Sequence, residues 1–179
     1  MGFMGAGKSS VGKVLARRLE AEFLDVDERI EADAGKTVEE IFATEGEPAF
    51  RNRERKAIRD AVSVRGRVIA TGGGAFLDDD NRKRLKAYAP VVFLDISPAT
   101  ALARLVGDTS RPLLSGKDRE KAVAELMESR RPSYRKADFR VCTENREADR
   151  VAEEVFLLLS RGGQDVPAGR TGRKERRRG

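Results

Sequence analysis

Apolar residues return along the chain at two intervals, and the alternation between them sets the architecture. Val11, Val14, Leu15 and Leu19 recur at helical spacing, so the stretch from Lys8 to Glu20 predicts a helix with one buried stripe. Phe23-Leu24 reads as a short strand ending in Asp25-Val26-Asp27. A helical segment around Ile30 follows, and Thr37-Val38-Glu39-Glu40 matches a capping box that opens a helix through Ile41 and Phe42. Gly46 ends that helix, and Pro48 suits the first turn of the next, on which Phe50, Glu54 and Ile58 share a face. Arg67 to Ala70 is a strand running straight into Thr71-Gly72-Gly73-Gly74. Val91 to Leu94 is a continuous apolar run, suited to a strand buried on both faces, and Ser97-Pro98 starts a helix after it. A long helix from about Asp118 to Pro132, a short strand at Val141-Cys142 and a last helix striped by Val151, Val155, Leu158 and Leu159 complete the pattern. Strands alternating with helices predict a doubly wound α/β domain, with a mostly parallel sheet and helices on both faces.

Composition narrows the chemistry. The 179 residues suffice for one domain, and no apolar run is long enough to span a bilayer, so a cytoplasmic protein is expected. Cys142 is the only cysteine, which excludes an intrachain disulfide and a cysteine metal cluster; a free buried thiol is the simplest expectation. Histidine is absent, so acid–base work falls to carboxylates or lysine. Of the net charge of +6, residues 161–179 carry +5, from seven Lys/Arg against two Asp/Glu. That Gly- and Arg-rich segment has too little apolar surface to offset its ordering entropy, which predicts a domain over 1–160 and a basic disordered tail over 161–179. A solvated tail is expected there, with no specific nucleic-acid contact.

The chemistry is concentrated at the start of the chain. Gly2-Phe3-Met4-Gly5-Ala6-Gly7-Lys8-Ser9 fits the phosphate-binding pattern G-x-x-x-x-G-K-[ST]. Glycines let successive N–H groups point into one concavity, and the following helix directs its positive end there. Lys8 can place its charge between the β- and γ-phosphates, and the Ser9 hydroxyl can ligate a bridging Mg²⁺. Asp25 and Asp27, at the carboxyl end of a strand, would face the same site, where a carboxylate is needed near the ion. Gly72-Gly73-Gly74 predicts a second loop with close backbone approach to a bound molecule. Asp78-Asp79-Asp80-Asn81 reads as helix capping rather than a metal cluster. Residues 107–116, with Arg111 in their middle, read as a mobile lid.

Taken in order, the phosphate loop, Asp25-Val26-Asp27, Phe50-Arg51, Gly72-Gly73-Gly74, Arg111-Pro112-Leu113-Leu114 and Arg130-Arg131-Pro132-Ser133-Tyr134 resemble the shikimate kinase family over nearly all of residues 1–160. The resemblance implies a nucleoside-monophosphate-kinase fold, with the phosphate-loop strand at the centre of a five-stranded sheet. It implies ATP and Mg²⁺ as cofactors, shikimate as substrate, and a reaction giving 3-phosphoshikimate and ADP. A monomer is expected. On this resemblance the nucleotide contacts are Gly5, Ala6, Gly7, Lys8, Ser9, Ser10, Arg104 and Arg111, with Arg104 over the adenine. Ser9 and Asp25 lie on the metal side. Arg51 and Arg130 pair with the shikimate carboxylate, Asp27 takes the reacting hydroxyl, and Gly72, Gly73 and Gly74 offer backbone. Phe42 and Phe50 wall the ring, Glu54 holds the substrate arginines, and Lys8 and Arg111 neutralise the transferred phosphoryl. The alternatives are a related small-molecule kinase, such as one acting on gluconate, and a nucleotide-binding relative inactivated by truncation.

Two departures stand out. Asn145 to Arg150 contains no proline where the family's adenine loop usually has one. Only Met1 precedes Gly2, so the strand that should enter the phosphate loop is missing. The expectation is that the functional protein begins upstream, with about five to ten further residues rich in Val, Ile and Leu, and that Met1 is internal or a misassigned start.

Overall fold

The computed structural model describes residues 1–105 and 118–161. The lid expected over 107–116, Arg111 within it, and the basic tail from residue 162 therefore lie outside the described residues. Seven α-helices and four strands alternate among those described: α1 (Lys8–Arg18), β1 (Glu22–Asp25), α2 (Val26–Ala34), α3 (Val38–Val62), β2 (Arg67–Ala70), α4 (Asp79–Tyr88), β3 (Val92–Asp95), α5 (Pro98–Arg104), α6 (Arg119–Tyr134), β4 (Phe139–Cys142) and α7 (Ala148–Arg161). A 3₁₀ turn, Ala75–Leu77, follows the triple glycine.

Local chemistry accounts for most of the boundaries. Thr37 and Glu40 form the reciprocal capping box expected of α3. Gly46, at φ 82 and ψ 169, breaks that helix into two pieces just ahead of Pro48. Asp78 caps α4 by accepting from the Asn81 N–H at 2.9 Å, as anticipated for the acidic run. Ser97 caps α5, with Pro98 in its first turn. Among the described helices, none is long and apolar enough to cross a membrane.

Among the described residues the strand pairings are parallel, but the five-stranded sheet implied by the family resemblance is not continuous. β1 pairs with β2, and β3 with β4, as two separate two-stranded sheets. Among the described residues Gly2 joins them, bridging Gly72 on one side and Leu94 on the other. The physical reason is length: residues 1 and 2 reach only the carboxyl end of the central position. The Met1 amino group donates to the Val92 carbonyl at 2.8 Å, and the Leu94 N–H donates to the Met1 carbonyl at 2.9 Å. The core divides accordingly. One cluster gathers Phe3, Val11, Leu15, Leu94, Val123, Val141, Val151 and Val155 from α1, β3, β4, α6 and α7. The other gathers Val26, Ile30, Ile41, Phe50, Ile58, Phe76 and Leu85 from α2, α3 and α4.

The thiol of Cys142 is free but exposed rather than buried. Val141 takes the inward position of β4, so the period-two alternation of a strand turns Cys142 outward.

Candidate active site

Helix α1 differs from its neighbours at its N-terminus. Helices α2 to α6 each have a side chain accepting from an N-terminal N–H, whereas α1 starts at Gly7 with no side-chain cap and no acidic residue in its first turn. Its N–H groups and dipole are left for an outside anion. Gly5 and Gly7 stand at φ 78 and 80, a left-handed conformation that disfavours other side chains, so these two glycines shape the loop. Ala6 is fully buried in the core, which leaves only its backbone for a ligand, while Ser10 is exposed in the first turn of α1. Lys8 Nζ lies 3.2 Å from the Phe3 carbonyl and so crosses the mouth of its own loop.

Ser9 and the two aspartates form a short chain of contacts. Ser9 Oγ donates to Asp25 Oδ2 at 2.6 Å, and Asp25 Oδ1 accepts from the Asp27 N–H at 3.0 Å, capping α2. The carboxyl end of β1 is thereby fixed against the start of α1. A hydroxyl and a carboxylate in contact beside an uncapped helix are oxygen donors suited to a small hard cation such as Mg²⁺, which completes its shell with phosphate oxygens and water. Ser9 and Asp25 would hold it.

A cavity of about 450 Å³ opens next to this group. It brings together Lys8, Ser9, Asp25, Asp27, Phe42, Phe50, Arg51, Glu54, Gly72, Gly73, Gly74 and Arg130, residues drawn from five elements and the triple-glycine loop. Phe42 and Phe50 form one wall, their ring centroids 4.8 Å apart. The Arg51 guanidinium lies 5.2 Å from the Phe50 ring, donates to Glu54 at 2.9 Å and is also held by Glu47 at 2.9 Å. Glu54 is 1 % exposed. Burial pushes its carboxyl above the ordinary range, against the opposing pull of Arg51. Arg130, buried across the cavity, lies over the Phe3 ring at 5.8 Å.

The glycines are needed for space. A Cβ on Gly73 would fall 2.1 Å from the Tyr134 hydroxyl and 3.0 Å from the Gly2 carbonyl, and one on Gly74 would fall 2.5 Å from Arg51 Nη1. Close approach to protein therefore accounts for Gly73 and Gly74. A Cβ on Gly72 would come no nearer than 3.4 Å to the Asp27 carboxylate, an ordinary contact.

Arg104 lies outside the cavity. Its guanidinium donates to the Gly5 carbonyl at 3.0 Å and to the Thr143 carbonyl at 2.8 Å, tying the phosphate loop to the turn after β4. That turn contains Asn145 at φ 51. It is anchored by Glu144, which accepts from Ser97 and Thr100 at the start of α5; these hydrogen bonds hold its carboxyl below the usual range. Sequence reasoning assigned nothing to Glu144, whose partners lie more than forty residues away. It also gave no role to Tyr134, a buried residue stacked on Phe93 at 4.8 Å between ring centroids, with its hydroxyl against Gly73. A larger cavity of about 1180 Å³, lined by residues of α6, β3 and β4, contains none of the anticipated site residues, so chemistry rather than volume locates the site.

Residues 4–160 match the shikimate kinase family model. The chain belongs to the shikimate kinase family. Among curated shikimate kinases, that of Moorella thermoacetica is 46% identical over 159 residues, covering 89% of this chain and 91% of the relative. The shikimate kinase of Symbiobacterium thermophilum is 43% identical over 167 residues, covering 92% and 96%. A solved shikimate kinase from Acinetobacter baumannii, in complex with shikimate, superposes with a TM-score of 0.88 at 38% identity, covering 92% of each chain. Family membership and the α/β phosphate-loop fold thus agree with the order of motifs along the chain.

Proposed function

We propose that this protein transfers the γ-phosphoryl group of ATP to the 3-hydroxyl of shikimate, giving 3-phosphoshikimate and ADP. The observation that carries the reading is the shared cavity: phosphate-loop side chains Lys8 and Ser9 open onto the same space as Asp27, Arg51 and Arg130. A small ring acid with hydroxyls needs fixed cations for its carboxylate, an acceptor for the reacting hydroxyl and a phosphate donor alongside. Arg51, Arg130, Asp27 and the phosphate-loop residues Lys8 and Ser9 line one cavity of about 450 Å³, which supports this reading.

Each residue then has a definite task. Arg51, its geometry set by Glu54 and Glu47, and Arg130, braced on Phe3, take the carboxylate and fix the ring against Phe42 and Phe50. Asp27 accepts the proton of the attacking hydroxyl. The N–H groups of residues 5–10 and the N-terminus of α1 hold the nucleotide phosphates, and Lys8 leaves the Phe3 carbonyl to lie along the transferred phosphoryl. Arg111 adds a second positive charge there. Mg²⁺, when bound beside Ser9 and Asp25, neutralises charge on the β- and γ-phosphate oxygens. Arg104 holds the two loops between which the adenine enters.

The test is ADP release with MgATP and a panel containing shikimate, quinate, gluconate and no acceptor. Release should depend on shikimate and rise little with the others. Equal or greater stimulation by gluconate would move the assignment to a different acid, and tight nucleotide binding with no turnover on any acceptor would identify an inactive relative.

A further inference from the structure

Helix α5 stands between two loops and touches both. On one side lies the phosphate loop: a Cβ on Gly5 would fall 3.3 Å from the Ala101 carbonyl oxygen, so backbone rests on backbone there, and Ala101 is fully buried. On the other side lies the turn after β4. Thr143, itself buried, continues the strand register by donating its N–H to the Asp95 carbonyl at 2.9 Å, and its hydroxyl donates to the same oxygen at 3.2 Å. Asn145, at φ 51, then breaks the extended backbone.

Three more side chains hold this turn. Arg146 donates to the Cys142 carbonyl at 3.0 Å and pairs with Glu154 of α7 at 2.6 Å, which fixes the far end. Arg104, the last residue of α5, donates to the Thr143 carbonyl at 2.8 Å. Glu144 reaches the opposite end of the same helix, where one of its carboxylate oxygens accepts from the hydroxyls of both Ser97 and Thr100. Ser97 also accepts from the Thr100 N–H at 3.2 Å, so the carboxylate is bound to groups that the helix start has already fixed.

The separation of the two contacts gives Glu144 its leverage. The seven residues of α5 span about 10 Å at a rise of about 1.5 Å per residue. A turn held only at the Arg104 end could swing about that point, whereas one held at both ends keeps a single orientation to the helix. Because Arg104 also donates to the Gly5 carbonyl at 3.0 Å, that orientation is passed on to the phosphate loop. The charges agree with the arrangement. The carboxylate lies at the positive end of the helix, and the Arg104 guanidinium favours its ionised form.

We propose that Glu144 is a positioning residue for the nucleotide. It clamps the turn over 143–146 to the start of α5 and so sets the distance and angle between that turn and the phosphate loop, across which a nucleoside polyphosphate is held by its base and its phosphates together. Glu144 acts through the turn and Arg104, without touching the ligand. The inference rests on the proposed function for its nucleotide alone and needs no particular acceptor.

The test is calorimetric titration of the full chain and its variants with MgADP and with magnesium pyrophosphate, in the absence of any acceptor. Glu144→Ala should weaken ADP about tenfold and leave pyrophosphate unchanged, because the phosphate loop keeps its own glycines and helix. Glu144→Gln, whose amide carbonyl can accept from both hydroxyls, should stay within about twofold of the parent. Thr100→Val removes one donor from the helix side and should give part of the loss, with the double variant no weaker than Glu144→Ala alone. In steady-state kinetics Glu144→Ala should raise the KM for ATP about tenfold and keep kcat and the shikimate KM. Unchanged ADP affinity in Glu144→Ala, or an equal loss for ADP and pyrophosphate, would overturn the proposal, because the first denies the clamp a role and the second reports a general loss of structure. Failure to phosphorylate shikimate would overturn the proposed function and leave this titration decisive.

Discussion

The rim at the carboxyl ends of the strands and the gap between β2 and β3 belong to the same four-stranded frame, yet they are held in opposite ways. At the rim, the contacts that set the site are mostly short in sequence: Asp25 accepts from the Asp27 N–H, and Arg51 pairs with Glu47 and Glu54. In the gap, the contacts of Met1 are with residues more than ninety positions away. Geometry produced by caps and helical i,i+3 or i,i+4 pairs forms wherever its helix forms. Geometry produced by a central strand exists only when the strand is there. The difference teaches that the catalytic rim is largely preassembled by local contacts, while the two sheets beneath it meet through the long-range contacts of residues 1 and 2.

The largest expected effect that separates the two regions is chemical. Asp27→Asn keeps the shape of the rim and removes the proton acceptor, so kcat should fall by about 10²- to 10⁴-fold with a smaller change in the shikimate KM. The thermal melt should be unchanged. Arg51→Ala should instead raise the shikimate KM, by about ten- to a hundredfold if it removes a charge-assisted pair. It also leaves Glu54 buried without its cation, so stability should fall by about 3 kcal/mol at neutral pH. Equal kinetic profiles for the two variants would collapse the division between chemistry and binding.

Gly73 couples the regions, because a Cβ there meets both Tyr134 at the rim and the Gly2 carbonyl at the gap. Gly73→Ala should cost about 1–3 kcal/mol by overpacking. Removing the hydroxyl with Tyr134→Phe should recover part of that loss in a double-mutant cycle, leaving the share due to Gly2. The smallest effect belongs to the far side of the rim: Thr37→Ala removes the cap of α3 and should lower stability by about 1 kcal/mol with unchanged kcat.

The same contrast explains what could be read from the sequence. The helices were legible because Thr37-Glu40, Asp78-Asn81 and Ser97-Pro98 encode their own starts within one turn. The phosphate loop was legible because Gly5 and Gly7 stand where only glycine is comfortable. Placing Arg51, Glu54 and Arg130 around one ring acid required the family resemblance, since the strand order that brings α3 and α6 to one cavity is not written in local periodicity. Glu144, Tyr134 and the exposure of Cys142 were missed because each depends on a neighbour supplied by another element. The burial of the Thr71 hydroxyl beside Met1, between β2 and β3, emerges only in three dimensions.

The most direct test of the central claim, that the rim transfers phosphoryl from ATP to the 3-hydroxyl of shikimate, is phosphorus NMR of the chain incubated with MgATP and shikimate. The account predicts one new phosphomonoester resonance, coupled to the ring proton at carbon 3 and growing in step with ADP. Growth of ADP with inorganic phosphate alone, or a phosphomonoester at another ring position, would contradict it.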